Sequence, residues 1–152
     1  MMRDNSDTRP IVVGVDGSPS SISALLKAVE LARVLDLPVE AVTTYPETAD
    51  PSYYFYPMEK SSPQEDAKKT LDRAIASAFG NDPHPKIERV LLGGLPARVL
   101  IDKSREASML VLGSRGHGGF VGLLLGSVTT ACAAHAKCPV LIMHTDTDVG
   151  TP

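Results

Sequence analysis

The sequence predicts an α/β domain built on one five-stranded parallel sheet, strand order 3-2-1-4-5, with helices on both faces. Three observations lead there. Short β-rich apolar runs recur at residues 11–15, 39–44, 87–92, 108–112 and 140–143. Between them lie stretches whose apolar residues return at helical spacing. The strand runs are near-continuously apolar, as in strands buried on both faces of a parallel sheet and joined by right-handed crossovers.

A chain of 152 residues fits one such domain and can bury roughly two-thirds of its unfolded surface. Its 43% hydrophobic and 22% charged content is ordinary for a globular protein. A net charge of −3 and a pI near 5.8 argue against a broad nucleic-acid or anionic-membrane surface. The apolar runs are far shorter than the ~20 residues of a membrane span. The polar start, MMRDNSDTRP, is not a secretory signal, so cytoplasmic residence is expected.

Pro10 opens the first strand, which ends in the turn Asp16-Gly17-Ser18-Pro19. Ser20 or Ser21 caps a helix running to about Leu35, with Ile22, Leu25, Leu26, Val29 and Ala32 as its inner face. The second strand follows Pro38. Residues 45–62 form a long irregular segment holding five of the seven aromatics, all of them within 45–56. At that length it reads as a lid, a partner contact or a poorly ordered surface loop. Ser62-Pro63-Gln64-Glu65 is a helix start, with serine as cap, proline at the first position and Glu65 completing a capping box. That helix turns Ala67, Leu71, Ala74, Ile75 and Ala78 inward and stops at Gly80-Asn81. After the third strand, Gly93-Gly94 and Pro96 lead into a helix with Val99, Leu100 and Ala107 as its core face. The fourth strand, a glycine-rich loop, a helix from Ser127 to about Ala136 and the strand Val140–Met143 complete the series. Polar tails are expected at 1–9 and 146–152, flanking a domain over 10–145. Cys132, His135 and Cys138 spell Cys-x2-His-x2-Cys, but a structural zinc takes four ligands and no fourth lies nearby.

Function concentrates in residues 111–129, VLGSRGHGGFVGLLLGSVT. A buried strand runs into Gly113, Gly116, Gly118, Gly119 and Gly122, and Gly126-Ser127 closes the loop, with Ser127 as N-cap of the next helix. Strand, glycine loop and helix start suit a phosphate: glycines let backbone N–H groups approach, and the helix adds donors and a positive dipole end. Between Ala107 and His144 there is no Asp or Glu, while Arg115, Lys137 and three histidines fall there. Neither Gly-x4-Gly-Lys-Ser/Thr nor Gly-x-Gly-x-x-Gly is present. If strands one and four are neighbours, Asp16 and this loop open into one crevice at the carboxyl ends of the strands. Taken alone, Asp16 could simply accept hydrogen bonds within its own turn.

The spacing Gly113-x2-Gly116-x9-Gly126-Ser127 resembles the nucleotide-binding branch of the universal stress protein family. The likeness runs through VVGVDGSPSS, LLLGSV and the closing CPVLIM, nearly the whole chain. It implies a Rossmann-like domain that binds ATP, with or without Mg2+, and forms a homodimer through Val140–Met143. A bare apolar edge strand invites that pairing on its own account. Asp16 matches the position at the nucleoside end of the nucleotide, and Thr44 the place where backbone atoms meet adenine. Gly113, Gly116, Gly126 and Ser127 match the phosphate-binding positions. Ser114, Arg115 and His117 share the loop without being carried over. Where the family commonly has an aspartate before its fourth strand, this chain has Ser108.

The expected function is therefore an ATP-binding module acting in stress response or regulation, through nucleotide-dependent conformation or an unidentified protein partner. No catalytic residues are assigned. The alternative is an ATP-dependent hydrolase or transferase of a related α/β class. A phospho-receiver would need an aspartate ending strand three, where Gly93-Gly94 stand instead. No nucleic-acid, membrane or metal partner is expected.

Overall fold

The computed structural model describes residues 8–47, 62–116 and 125–145. The expected tails fall largely outside the described residues, as do His117 and most of the aromatic segment 45–62. Among the described residues five strands and four helices alternate: β1 (Ile11–Gly14), α1 (Pro19–Leu35), β2 (Val39–Tyr45), α2 (Pro63–Phe79), β3 (Ile87–Gly93), α3 (Pro96–Ser104), β4 (Met109–Gly113), α4 (Ser127–His135) and β5 (Val140–Met143). All four strand pairings are parallel, and the order is β3-β2-β1-β4-β5, as expected.

The register places Ile11, Val13, Val39, Ala41 and Val111 on one face and Val12, Val42, Leu110 and Leu112 on the other. The first face packs under α1 and α2, through Leu25, Ala28, Val29, Leu71 and Ile75. The second packs against Leu100, Ala107 and Cys132, from α3, the approach to β4, and α4. Because β1 and β4 are interior strands, their residues are buried on both sides, which is why they read as unbroken apolar runs. Glu40 is the exception within β2. Its carboxylate meets Lys103 of α3 at 2.6 Å, which keeps a charge paired on an otherwise apolar face. The edge strand β3 departs further, with Glu88 and Arg89 exposed and Arg89 paired to Asp72 of α2 at 3.0 Å. Lys68 also hydrogen-bonds Asp72, and these cations hold its carboxyl below its usual range.

Four sequence expectations are corrected. The cap of α1 is Ser18, whose hydroxyl accepts from Ser21 N at 3.3 Å, with Pro19 at the first position. Proline at the first helical position, the signal that correctly placed Ser62, was equally present here. Leu26 is 44% exposed, and the buried stripe runs instead through Ser21, Ala24, Leu25, Ala28, Val29 and Ala32. Ala107 is fully buried, but beyond the end of α3. Gly126, not Ser127, is the cap of α4. The start of α2 is as expected, with Ser62 Oγ accepting from Glu65 N at 3.1 Å.

Leu25 and Leu26 are neighbours with opposite fates. Leu25→Ala should cost about 2–5 kcal/mol for the cavity it leaves, and Leu26→Ala should stay within about 0.5–1 kcal/mol. Denaturant melts of the two variants check this; equal losses would contradict the placement of α1.

Candidate functional site

β1 and β4 are adjacent, but the chain leaves them in opposite directions, to α1 on one face and α4 on the other. Such a switch point leaves a crevice between the diverging loops, at the carboxyl ends of the strands. A cavity of about 310 Å3 lies there. Val42, Leu100, Leu112 and Val128 supply apolar wall, and Asp16, Thr44, Gly113, Arg115, Gly116, Gly126 and Ser127 also line it. All six residues singled out from the sequence thus come together.

Asp16 does two things. Its Oδ1 accepts from Ser18 N at 2.9 Å and from the Ser18 hydroxyl at 2.5 Å, so it does close its own turn. Gly17, at φ 85°, supplies the left-handed step that turn requires. Its Oδ2 faces the glycine loop: a Cβ on Gly116 would sit 2.5 Å from it. The turn reading and the site reading of Asp16 are therefore compatible. Ser18 Oγ also lies 3.3 Å from the carbonyl of Arg115. A hydroxyl has one proton, and the shorter contact to Asp16 takes it. Ser20 ties the loop instead, donating to the same carbonyl at 2.6 Å.

The glycines differ in why they are glycine. A Cβ on Gly113 would run into Ser20 Oγ and come within 2.6 and 2.7 Å of backbone atoms of α1. Close packing of β4 on α1 therefore demands glycine there, with or without a ligand. Gly126 is different. A Cβ there would meet its nearest atoms at 3.5–3.7 Å, an ordinary contact, and its φ of −70° suits any residue.

α4 begins at Gly126 without a side-chain cap, whereas α1 and α2 are each capped by a serine. The N–H of Gly126 is committed to the carbonyl of Ser114 at 2.8 Å. Donors for a ligand would come from the next turn, beginning at Ser127. Leu95 likewise caps α3 without a side-chain bond, and Pro96 of α3 lines the same cavity. Two helix starts with no side-chain cap thus flank the hollow, each presenting a positive dipole end. Thr129 fixes one of them, donating from its hydroxyl to the carbonyl of Gly113 at 2.7 Å. The sequence analysis places Ser18 in a turn and Ser20 as a possible cap but assigns none of Ser18, Ser20 and Thr129 to the site, although serine and threonine beside glycine turns are a usable signal.

Cys132 is fully buried, and burial pushes its thiol up to about 11, the reverse of what a metal-bound thiolate requires. Among the described residues no cluster of His, Cys, Asp or Glu could hold a metal ion. No helix among them is long and apolar enough to cross a membrane.

The comparisons with known proteins agree with this fold. The model of the universal stress protein family matches residues 7–144. The chain belongs to the universal stress protein family. Universal stress protein Rv2005c of Mycobacterium tuberculosis is 33% identical over 133 residues, which cover 88% of this chain and 44% of that protein. Rv2623 of the same organism is 34% identical over 134 residues, with the same shares. The chain thus spans less than half the length of these relatives. A universal stress protein crystallised in complex with cAMP matches at a TM-score of 0.60 and 32% identity, over 93% of this chain and 100% of the other. A universal stress protein from Archaeoglobus fulgidus in complex with dAMP has a TM-score of 0.63 at 23% identity, over 90% and 98%. The latter likeness speaks to the fold alone.

The contrast between the two glycines is testable without a ligand. Gly113→Ala should destabilise the domain by about 1–3 kcal/mol or more through overpacking. Gly126→Ala, at a cap position with room, should cost about 1 kcal/mol or less. Thermal unfolding of both variants decides it, and equal effects would contradict the geometry.

Proposed function

We propose that this universal stress protein is an adenine-nucleotide-binding module of stress response or regulation, with ATP as its ligand. The observation that carries the reading is the start of α4, which has no side-chain cap and lies in the same cavity wall as Arg115, next to an apolar slot. Apolar side chains suit an adenine ring, with Thr44 offering backbone groups at its edge. Asp16 Oδ2 suits a sugar hydroxyl. Gly113, Gly116, Gly126 and Ser127 shape the wall where phosphates would lie, and the first turn of α4 supplies N–H donors. The relative in complex with cAMP supports an adenine nucleotide as the ligand class.

Mg2+ prefers an octahedron of oxygen ligands. Asp16 is the one carboxylate among the described lining residues, and Ser18 already engages one of its oxygens. Such an ion would therefore be held chiefly by the phosphates. The same scarcity of carboxylates supports binding without appreciable turnover, since hydrolysis needs a group to orient water in line with the γ-phosphate. The output is then conformational, or passes to a protein partner.

We also propose a homodimer through β5. Both sheet edges are open in the single chain, but they differ in chemistry. β3 carries Glu88 and Arg89, charges that discourage pairing, whereas Val140, Leu141, Ile142 and Met143 carry none and are only half-buried. Light scattering at micromolar concentration should return twice the chain mass; a monomer would contradict the interface.

Calorimetry should show ATP binding near micromolar, about −8 kcal/mol. Gly126→Val should weaken it at least tenfold while leaving the fold intact. The wild-type protein should release phosphate far more slowly than the ~10 per second of a median enzyme. Equal ATP binding by wild type and variant would remove the site assignment.

A further inference from the structure

The open edge of the sheet and the start of α4 meet at one residue. Ser114, fully buried, directly follows β4. Its N–H donates to the carbonyl of Met143, the last residue of β5, at 2.8 Å. Its own carbonyl accepts from Gly126 N, also at 2.8 Å. The strand register leads into the same link, pairing Leu112 with Ile142 and Gly113 with Met143. From α4, the Thr129 hydroxyl holds the carbonyl of Gly113 at 2.7 Å. Two backbone hydrogen bonds on one buried residue therefore join β5 to the first turn of α4. Buried backbone groups need such partners, and no solvent is at hand to replace them. A shift of Met143 is thus passed to Gly126.

β5 is a short edge strand of four residues, with β4 as its one neighbour in the sheet and every residue only half-buried. The ends of such strands open at low free energy, and Met143 stands at the end. We propose that β5 pairing with a second copy and nucleotide binding are coupled through Ser114, so that each strengthens the other. The inference rests on both readings above, the nucleotide site and the β5 homodimer. A second copy supplies the missing ladder along the open edge and fixes the Met143 carbonyl. The tie from Ser114 to Gly126 is then ordered before a ligand arrives, and ordering completed in advance no longer opposes binding. Linkage makes the effect equal in both directions.

Sedimentation of the full chain over a dilution series, without ATP and with saturating ATP, reads the dimer dissociation constant in both states. ATP should lower that constant roughly 5- to 150-fold. The monomer populated at high dilution should bind ATP more weakly than the dimer by the same factor. Ile142→Lys gives a second route to the monomer. Ile142 is the one β5 residue that packs in neither core cluster, and a lysine there discourages edge pairing. Its ATP affinity should fall by that same factor. The wild-type dilution series decides the matter even if this variant fails to fold. A dimer constant unchanged by bound ATP, or equal ATP affinity in monomer and dimer, would overturn the coupling and leave nucleotide binding standing. A wild type that stays monomeric while binding ATP would overturn the dimer and the coupling together. A dimer that binds no ATP would overturn the nucleotide reading, and the coupling with it.

Discussion

The close seating of the end of β4 on the first turn of α1 is the constraint on which the site depends. Gly113 has no room for a side chain because Ser20 and the backbone of Ser21 occupy that space. Once this contact is made, Ser20 takes the carbonyl of Arg115, and Oδ2 of Asp16 comes against Gly116. Two loops about a hundred residues apart in sequence are thereby locked edge to edge. The parallel order β1-β4 creates the crevice, and this clamp sets its width.

Polar groups at the crevice divide into two kinds. Those that build it are satisfied internally: Ser18 with Asp16, Thr129 with Gly113, and Thr43 with the carbonyl of Val15 at 2.8 Å. Deeper in the fold, buried Ser104 is satisfied too, accepting from Lys137 N at 2.8 Å. Buried polar groups normally find partners in this way. The start of α4, without a side-chain cap, and Nε of Arg115 stand apart from that pattern. Both are electropositive, and Arg115 and the start of α4 line one hollow. Their coincidence beside an apolar wall is what gives the family resemblance a physical content in this chain.

Much of the fold was legible in the sequence because interior strands and amphipathic helices carry period and composition directly. The unbroken apolar runs at β1 and β4 and the Ser62-Pro63 start of α2 are local signals of that kind. Misreadings arose where tertiary contacts decide. Leu26 fits a helical stripe as well as Ala28 does, but the buried face of α1 runs through Leu25 and Ala28 and leaves Leu26 44% exposed. Ser127 is a better cap by composition than Gly126, yet the tie from Gly126 N to the carbonyl of Ser114 sets the helix start one residue earlier. The candidate site residues, which line one cavity, were legible as a spacing, whereas the distinct reasons for Gly113 and Gly126 were not. One glycine answers to a helix nearly a hundred residues away, and only the assembled structure shows that contact.

In the proposed binding mode the first turn of α4 receives the phosphates. An amide-resolved nuclear magnetic resonance titration with ATP addresses that claim most directly. Saturable shifts at the amides of Ser127, Val128 and Thr129, together with Gly116, are the predicted result. ATP binding that left those amides unmoved, or no saturable shift anywhere in the chain, would contradict it.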